Sequence, residues 1–345
     1  MLTNNRIINE DIEFVINNNK KILPDKNEKL NILITGANGL LPSYLVYFFA
    51  ELKNLGYQIN LYLIIRNNVN RIELLNNNDS YKIIGKNVAE KIETDIKFDY
   101  IVHAASDATP KKYLANKLET INTNVLGLYN IFSLDLSNLK SFLYFSTAEL
   151  YGTPEASDIP TKESYISKFD HLQERSCYVE TKKFCETLCI NMFYEKNLPV
   201  KMIRPFHTFG PGIDFNDGRI FSEIIKCMYK KEDIIINSDG KATRSFCYLG
   251  DALDMFIKVL FSDKNGEVFN VGNPNNEISI GDLAKTMCKV INSSIDYKIL
   301  GKESDSTPLK SCPDILKGIV QLGFDPRHNI ENAFGRTLES LLINN

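Results

Sequence analysis

Tyr178 and Lys182 stand four residues apart in the stretch Tyr178-Val-Glu-Thr-Lys182. On a helix that spacing puts both side chains on one face. An ammonium so placed stabilises a phenolate and draws the tyrosine pKa down from about 10 toward working pH. The result is a general base able to take a proton from a sugar or alcohol hydroxyl. The pattern is common by chance, and an ordinary exposed helix pair is its competing explanation. It acquires chemical meaning when a dinucleotide site lies upstream.

Such a site is legible. Thr35-Gly-Ala-Asn-Gly-Leu-Leu41 follows an apolar run at 30–34 and opens a helix-like stretch at 44–55. Gly36 suits the tight turn, and Gly39 suits close approach of backbone to a pyrophosphate at a helix N-terminus. Asn38, Leu40 and Leu41 complete this cofactor turn. Position 42 is proline where a third glycine is expected. Proline is tolerated in a first helical turn, but the glycine that lets helix and sheet pack closely is lost. A second apolar run, 59–65, ends at Arg66 and Asn67. An acid there would bind a ribose 2′-hydroxyl, whereas Arg66 suits the 2′-phosphate of NADP or stacks on the adenine.

The elements that must position these residues follow from periodicity. Apolar runs at 30–34, 59–65, 100–103, 142–145 and 200–204 alternate with helical stretches at 44–55 and 124–134. That alternation means βαβ units and a parallel sheet. Residues 1–29 read as an N-terminal extension with a short amphipathic segment. Residues 30–205 read as the dinucleotide domain, and 206–345 as a substrate region with some return of the chain to the first domain.

The 345 residues suffice for one large or two modest domains, and a net charge of −3 gives no case for nucleic acid or an anionic membrane. No apolar run approaches the ~20 residues of a membrane span. The first residues lack the apolar core of a signal peptide. Seven cysteines without paired spacing read as reduced thiols in a cytoplasmic protein. Cys185 and Cys189, one helical turn apart, lack His or carboxylate partners nearby and read as packing residues, so no metal is expected.

With these residues in hand the chain resembles the extended short-chain dehydrogenase/reductase family of nucleotide-sugar epimerases, dehydratases and decarboxylases. The motifs run in order: the glycine turn, His103-Ala-Ala-Ser106, Asn124-Val-Leu-Gly127, Phe145-Ser-Thr-Ala-Glu-Leu-Tyr-Gly152, Tyr178-x-x-x-Lys182, Arg204-Pro-Phe-His-Thr-Phe-Gly-Pro211, Arg244-Ser-Phe-Cys-Tyr248 and Asn270-Val-Gly-Asn-Pro274. The resemblance implies an α/β fold, a Rossmann-like doubly wound parallel sheet with a smaller mixed α/β C-terminal substrate domain. It implies tightly bound NAD or NADP (the likeness favours NAD, Arg66 favours NADP), a nucleotide-diphosphate sugar substrate and a homodimer. Asn87, Val88, Ala104, Ala105, Ser106, Asn124 and Pro205 would line the cofactor. Thr147 would bridge to the sugar 4-hydroxyl, Tyr178 would remove its proton, and Lys182 would hold the ribose.

The chemistry after C4 oxidation divides the family. Thr147-x-Glu149 is the arrangement of 4,6-dehydratases and UDP-glucuronate decarboxylases, and 4-epimerases usually lack the glutamate. Glu149 would act at C5. Residue 148 is alanine, where dehydratases carry an aspartate or serine. The decarboxylases' arginine two residues before Pro-Asp-Ile is Ser311 here, with Lys310 beside it. His207 replaces a usual asparagine and would contact substrate, and Arg219 and Arg244 would bind the diphosphate. Overall likeness puts uronate decarboxylation first and 4,6-dehydration next. A 4-epimerase or C4 dehydrogenase and a non-catalytic dinucleotide-binding scaffold stay open.

Overall fold

Six residues of nearly unbroken apolar sequence make β1 (Leu30–Thr35), the strand on which the first half of the chain is organised. The computed structural model describes residues 2–66, 69–76, 78–85, 87–290, 295–301 and 309–343. Before β1 comes α1 (Arg6–Asn19). After it follow α2 (Leu40–Asn54), β2 (Ile59–Ile64), β3 (Lys82–Gly85), β4 (Tyr100–His103), α3 (Pro110–Ala115), α4 (Lys117–Phe132), β5 (Ser141–Phe145), α5 (Ser176–Lys196) and β6 (Val200–Pro205). The remainder comprises β7 (Thr208–Phe209), α6 (Ile220–Lys230), β8 (Ile234–Ile236), β9 (Thr243–Ser245), β10 (Cys247–Tyr248), α7 (Leu249–Leu260), β11 (Val268–Val271), β12 (Glu277–Ser279), α8 (Ile280–Val290), β13 (Tyr297–Ile299), β14 (Lys310–Ser311), α9 (Leu316–Leu322) and α10 (Ile330–Ile343).

The chain divides into two units, 1–147 with 170–204 and 253–269, and 148–169 with 205–252 and 270–345. The sequence-based boundaries differ from this division. The block 30–205 is interrupted, because 148–169 packs with the second unit. There the Tyr151 hydroxyl donates to Asn270 Oδ1 at 2.7 Å, and Glu163 accepts from the Asn270 N–H at 2.8 Å.

In the first unit β1 lies between β2 and β4, parallel to both, with Ile32 opposite Leu61 and Tyr100. The sheet order is β11-β6-β5-β4-β1-β2-β3. Its growth reverses at β1, so the carboxyl ends of β1 and β4 mark the switch point where open α/β sheets bind ligands. This is the Rossmann-like doubly wound arrangement. Both faces of such a sheet are covered, which is why β5 buries all five of its residues. Leu33, Ile101, Leu128, Phe142, Cys185 and Cys189 share the core.

The N-terminal residues belong to this unit as well. Asn5 caps α1 by accepting from the N–H groups of Ile7 and Ile8. Asn19 donates to Asp254 at 2.7 Å and accepts from Lys258 at 3.2 Å, which ties α1 to α7. Ahead of α1, Thr3 bridges antiparallel to Leu75, and Asn76 N–H donates to the Leu2 carbonyl at 3.0 Å.

The second unit packs Phe209, Phe221, Phe246 and Phe334 with Ile224, Leu283 and Met287 into its own core. A three-stranded sheet, β12-β9-β14, crosses it. In that sheet Lys310 lies opposite Thr243, and Ser311 opposite Arg244.

Candidate active site

The glycine turn is built as the sequence requires. Gly36 has φ +63°, and a Cβ there would sit 2.7 Å from the Ala105 Cα. Any other residue would have to push the loop after β4 away. Gly36 N–H donates to the Ile64 carbonyl at 3.0 Å, and Gly39, which caps α2, donates to the Gly36 carbonyl at 2.8 Å. Thr35 Oγ1 accepts from the N–H groups of Ala104 and Ala105, both at 3.2 Å. Turn and loop are thus one assembly. Leu40 and Leu41 start α2, and Pro42 sits buried in its first turn without breaking it. Asn38 is occupied: its side chain accepts from the Arg71 N–H and its carbonyl from the Arg71 guanidinium, each at 2.9 Å.

Several buried polar atoms of this unit find no partner among the described residues. They include Ser106 Oγ, Ser146 Oγ and Asn124 Oδ1. Buried hydroxyls and amides are ordinarily satisfied. Together with a positive-φ glycine turn and a helix N-terminus that no side chain caps, these groups fit a bound dinucleotide. Asn124 Nδ2 donates to Thr181 Oγ1 at 2.8 Å, joining α4 to α5. Gly127 lets α4 approach Val88, since a Cβ there would lie 2.8 Å from Val88 Cγ1. Asn87 Oδ1 accepts from the Ala89 N–H at 3.0 Å. Arg66 is held by Asp107 at 3.0 Å and Glu119 at 3.5 Å. Asn67 lies outside the described residues. Pro205 ends β6, half-buried.

Tyr178 and Lys182 lie in the first turns of α5 and are both buried. Lys182 Nζ donates to the Phe145 carbonyl at 2.7 Å, and it sits 4.9 Å from the Tyr144 ring centroid and 6.0 Å from that of Tyr178. Burial lowers the Lys182 pKa to about 8. The ammonium therefore predominates near neutrality, where it favours a phenolate. Tyr113, from α3, stacks on Tyr178 at 4.9 Å with planes 4° apart. Sequence reasoning missed Tyr113, because no spacing rule links residues on separate helices. Thr147 is buried just past β5.

In the second unit Glu149 lies half-buried in a single helical turn, Ala148–Tyr151. Arg244 is buried and donates to the Thr243 carbonyl at 2.7 Å; among the described residues it meets no carboxylate. Arg219 is held by both oxygens of Asp217 at 2.5 Å and covers the Phe221 ring. His207 meets Ser311 Oγ at 3.2 Å. Burial, then Arg244 and Arg219, push the His207 pKa down to about 3, so its imidazole is neutral at physiological pH. Lys310 pairs with Glu277 at 2.9 Å.

A doubly wound sheet, a glycine turn at its switch point and a buried Tyr/Lys pair define an NAD(P)-dependent enzyme. The family model described as NAD dependent epimerase/dehydratase matches residues 32–272, and the chain belongs to that family. UDP-glucuronic acid decarboxylase 1 of Arabidopsis thaliana is 32% identical over 314 residues, covering 90% of this chain and 69% of the relative. Among solved structures, UDP-glucuronic acid 4-epimerase from Bacillus cereus, in complex with UDP-glucuronic acid and NAD, superposes with a TM-score of 0.76 at 22% identity. That match covers 92% of this chain and all of the other. A dTDP-glucose 4,6-dehydratase from Streptomyces venezuelae gives 0.75 at 16% identity, over 91% and 98% of the two chains. Both structures share the fold. Among the described residues, no helix is long and apolar enough to cross a membrane.

Proposed function

We propose that this chain remodels a nucleotide-diphosphate sugar through transient oxidation at C4, and that loss of a C6 carboxylate as carbon dioxide follows. The observation that carries the substrate class is Arg244, a buried guanidinium with no carboxylate partner among the described residues. Arg219 acts on the same histidine but is paired with Asp217, so Arg244 supplies the uncompensated positive charge that suits a diphosphate. The named activity of the curated relatives supports the carboxylate as the group that leaves.

In this reading Thr147 holds the sugar 4-hydroxyl and Tyr178 takes its proton. Lys182 favours the phenolate and holds the ribose of the cofactor. Bound NAD(P) supplies the acceptor and later the donor of the C4 hydride. Once C4 is a ketone, the C5–C6 bond of a uronate can break, its electron pair passing into the C4 carbonyl as an enolate. Glu149 relays a proton from solvent to C5, and Tyr178 returns its proton to O4 as C4 is reduced.

A second reading, 4,6-dehydration, is favoured by one observation. The positions that would neutralise a C6 carboxylate are engaged, Lys310 with Glu277 and Ser311 with His207. Incubation with UDP-glucuronate, and separately with UDP-, dTDP-, GDP- and CDP-hexoses, distinguishes the two by product mass. Loss of carbon dioxide supports the first reading and loss of water the second. Altered stereochemistry at unchanged mass would overturn both.

A further inference from the structure

We infer that Asp107 sets cofactor choice, holding Arg66 so that the adenosine end of the site takes a 2′-hydroxyl and refuses a 2′-phosphate. The inference rests on the dinucleotide site described above and goes beyond it. At the end of β2, an arginine by itself favours NADP. This arginine is not by itself. Arg66 Nη2 lies 3.0 Å from Asp107 Oδ1 and 3.3 Å from Oδ2, and Nη1 lies 3.4 Å from Oδ2. Nη1 also reaches Glu119 Oε1 at 3.5 Å.

One guanidinium thus faces two carboxylates, and the local charge is negative. A 2′-phosphate brings about −1.5 to −2 further charges at neutral pH. To receive it, Arg66 would have to leave Asp107 and abandon that carboxylate beside the incoming anion. Two features make the exchange unfavourable. Asp107 is only 12% exposed, so solvent screens it poorly. Its backbone is also anchored two residues upstream, where Ala105 abuts Gly36 and donates its N–H to Thr35. Glu119, on α4, is 43% exposed and adds less. A ribose 2′-hydroxyl, by contrast, can donate to a carboxylate without displacing anything. The acid that excludes the phosphate would then come from the loop after β4, in place of one at the end of β2.

The test uses purified protein stripped of dinucleotide, titrated calorimetrically with NAD and with NADP. Wild type should bind NAD at least about tenfold more tightly. Asp107→Asn, which keeps shape and removes charge, should narrow that preference by about tenfold, chiefly by tightening NADP. Adding Arg66→Gln to Asp107→Asn should erase the gain. Wild type that binds NADP as tightly as NAD overturns the inference. So does a folded Asp107→Asn protein with an unchanged ratio. If Asp107→Asn fails to fold, the dinucleotide released on denaturing wild type answers instead: NAD supports the inference and NADP overturns it. Failure of wild type to bind either dinucleotide would sink the cofactor site itself, a separate result.

Discussion

The Tyr113 ring lies face to face on the Tyr178 ring, centroids 4.9 Å apart and planes 4° from parallel. Tyr113 is fully buried, so it can fix the plane of the ring on which the proposed base depends. Aromatic pairs contribute about 0.5–1.5 kcal/mol beyond their area. Tyr113→Leu should therefore lower kcat by up to about tenfold, with KM little changed and the pH profile displaced. Tyr113→Phe, which keeps the stack, should restore most of the rate. If the leucine variant works as fast as wild type over the whole pH range, the stack has no positioning role.

Tyr178→Phe removes the proposed proton acceptor and leaves the ring. Turnover should fall by about 10²- to 10⁴-fold, the usual contribution of a general base. Dinucleotide content and melting temperature should stay near wild type. Undiminished turnover by the phenylalanine variant would remove Tyr178 from the mechanism.

Lys182 yields a prediction about stability and pH. Its pKa is about 8 in the fold against an ordinary 10.5, because burial penalises the charged form. Lys201, buried in β6, is also lowered to about 8. Between the folded and unfolded values these two lysines bind more protons in the unfolded chain, so their contribution to stability rises with pH across that window. Conversely, the penalty reaches its full size as pH falls through about 8. The buried cysteines, whose pKa values burial raises, act in the opposite sense, so the Lys182 contribution is read by difference in denaturant unfolding. The stability that Lys182→Met gains over wild type in dinucleotide-free protein should shrink as pH rises from about 8 toward 10.5. A slope identical in wild type and variant would refute the assignment.

Arg244, the proposed diphosphate ligand, also depresses the His207 pKa. Arg244→Gln should raise KM for the nucleotide sugar by about 10- to 100-fold, as expected for a lost charge-assisted contact. The same change should let the His207 pKa move upward, because Arg244 is one of the groups that depress it. An NMR titration of His207 reads the second effect independently of catalysis. An unmoved imidazole together with an unmoved KM would discard the anion-site assignment.

Which of these relationships are visible in sequence depends on chain separation. Local rules sufficed for the glycine turn, since strand, turn and helix lie within one stretch and Gly36 adopts the positive φ its role demands. The parallel sheet was likewise legible, because buried strands must be apolar throughout. Arg66 read alone points to a 2′-phosphate. Its charge is visible in sequence, but its partner Asp107 comes from a different loop, and only folding brings them together. Asn38 presents the same difficulty with Arg71, and Tyr178 with Tyr113. The passage of 148–169 into the second unit left no compositional mark. It depends on pairings such as Tyr151 with Asn270 that no periodicity encodes.

The N-terminal residues carry a practical consequence. Leu2 and Thr3 are laced to Leu75 and Asn76, and Arg71, a few residues before them, clasps Asn38 within the glycine turn. The Tyr47 hydroxyl fastens the same Arg71 through its carbonyl at 2.5 Å. Loosening Leu2 or Thr3 would therefore disturb the 71–76 segment that also braces the glycine turn through Arg71.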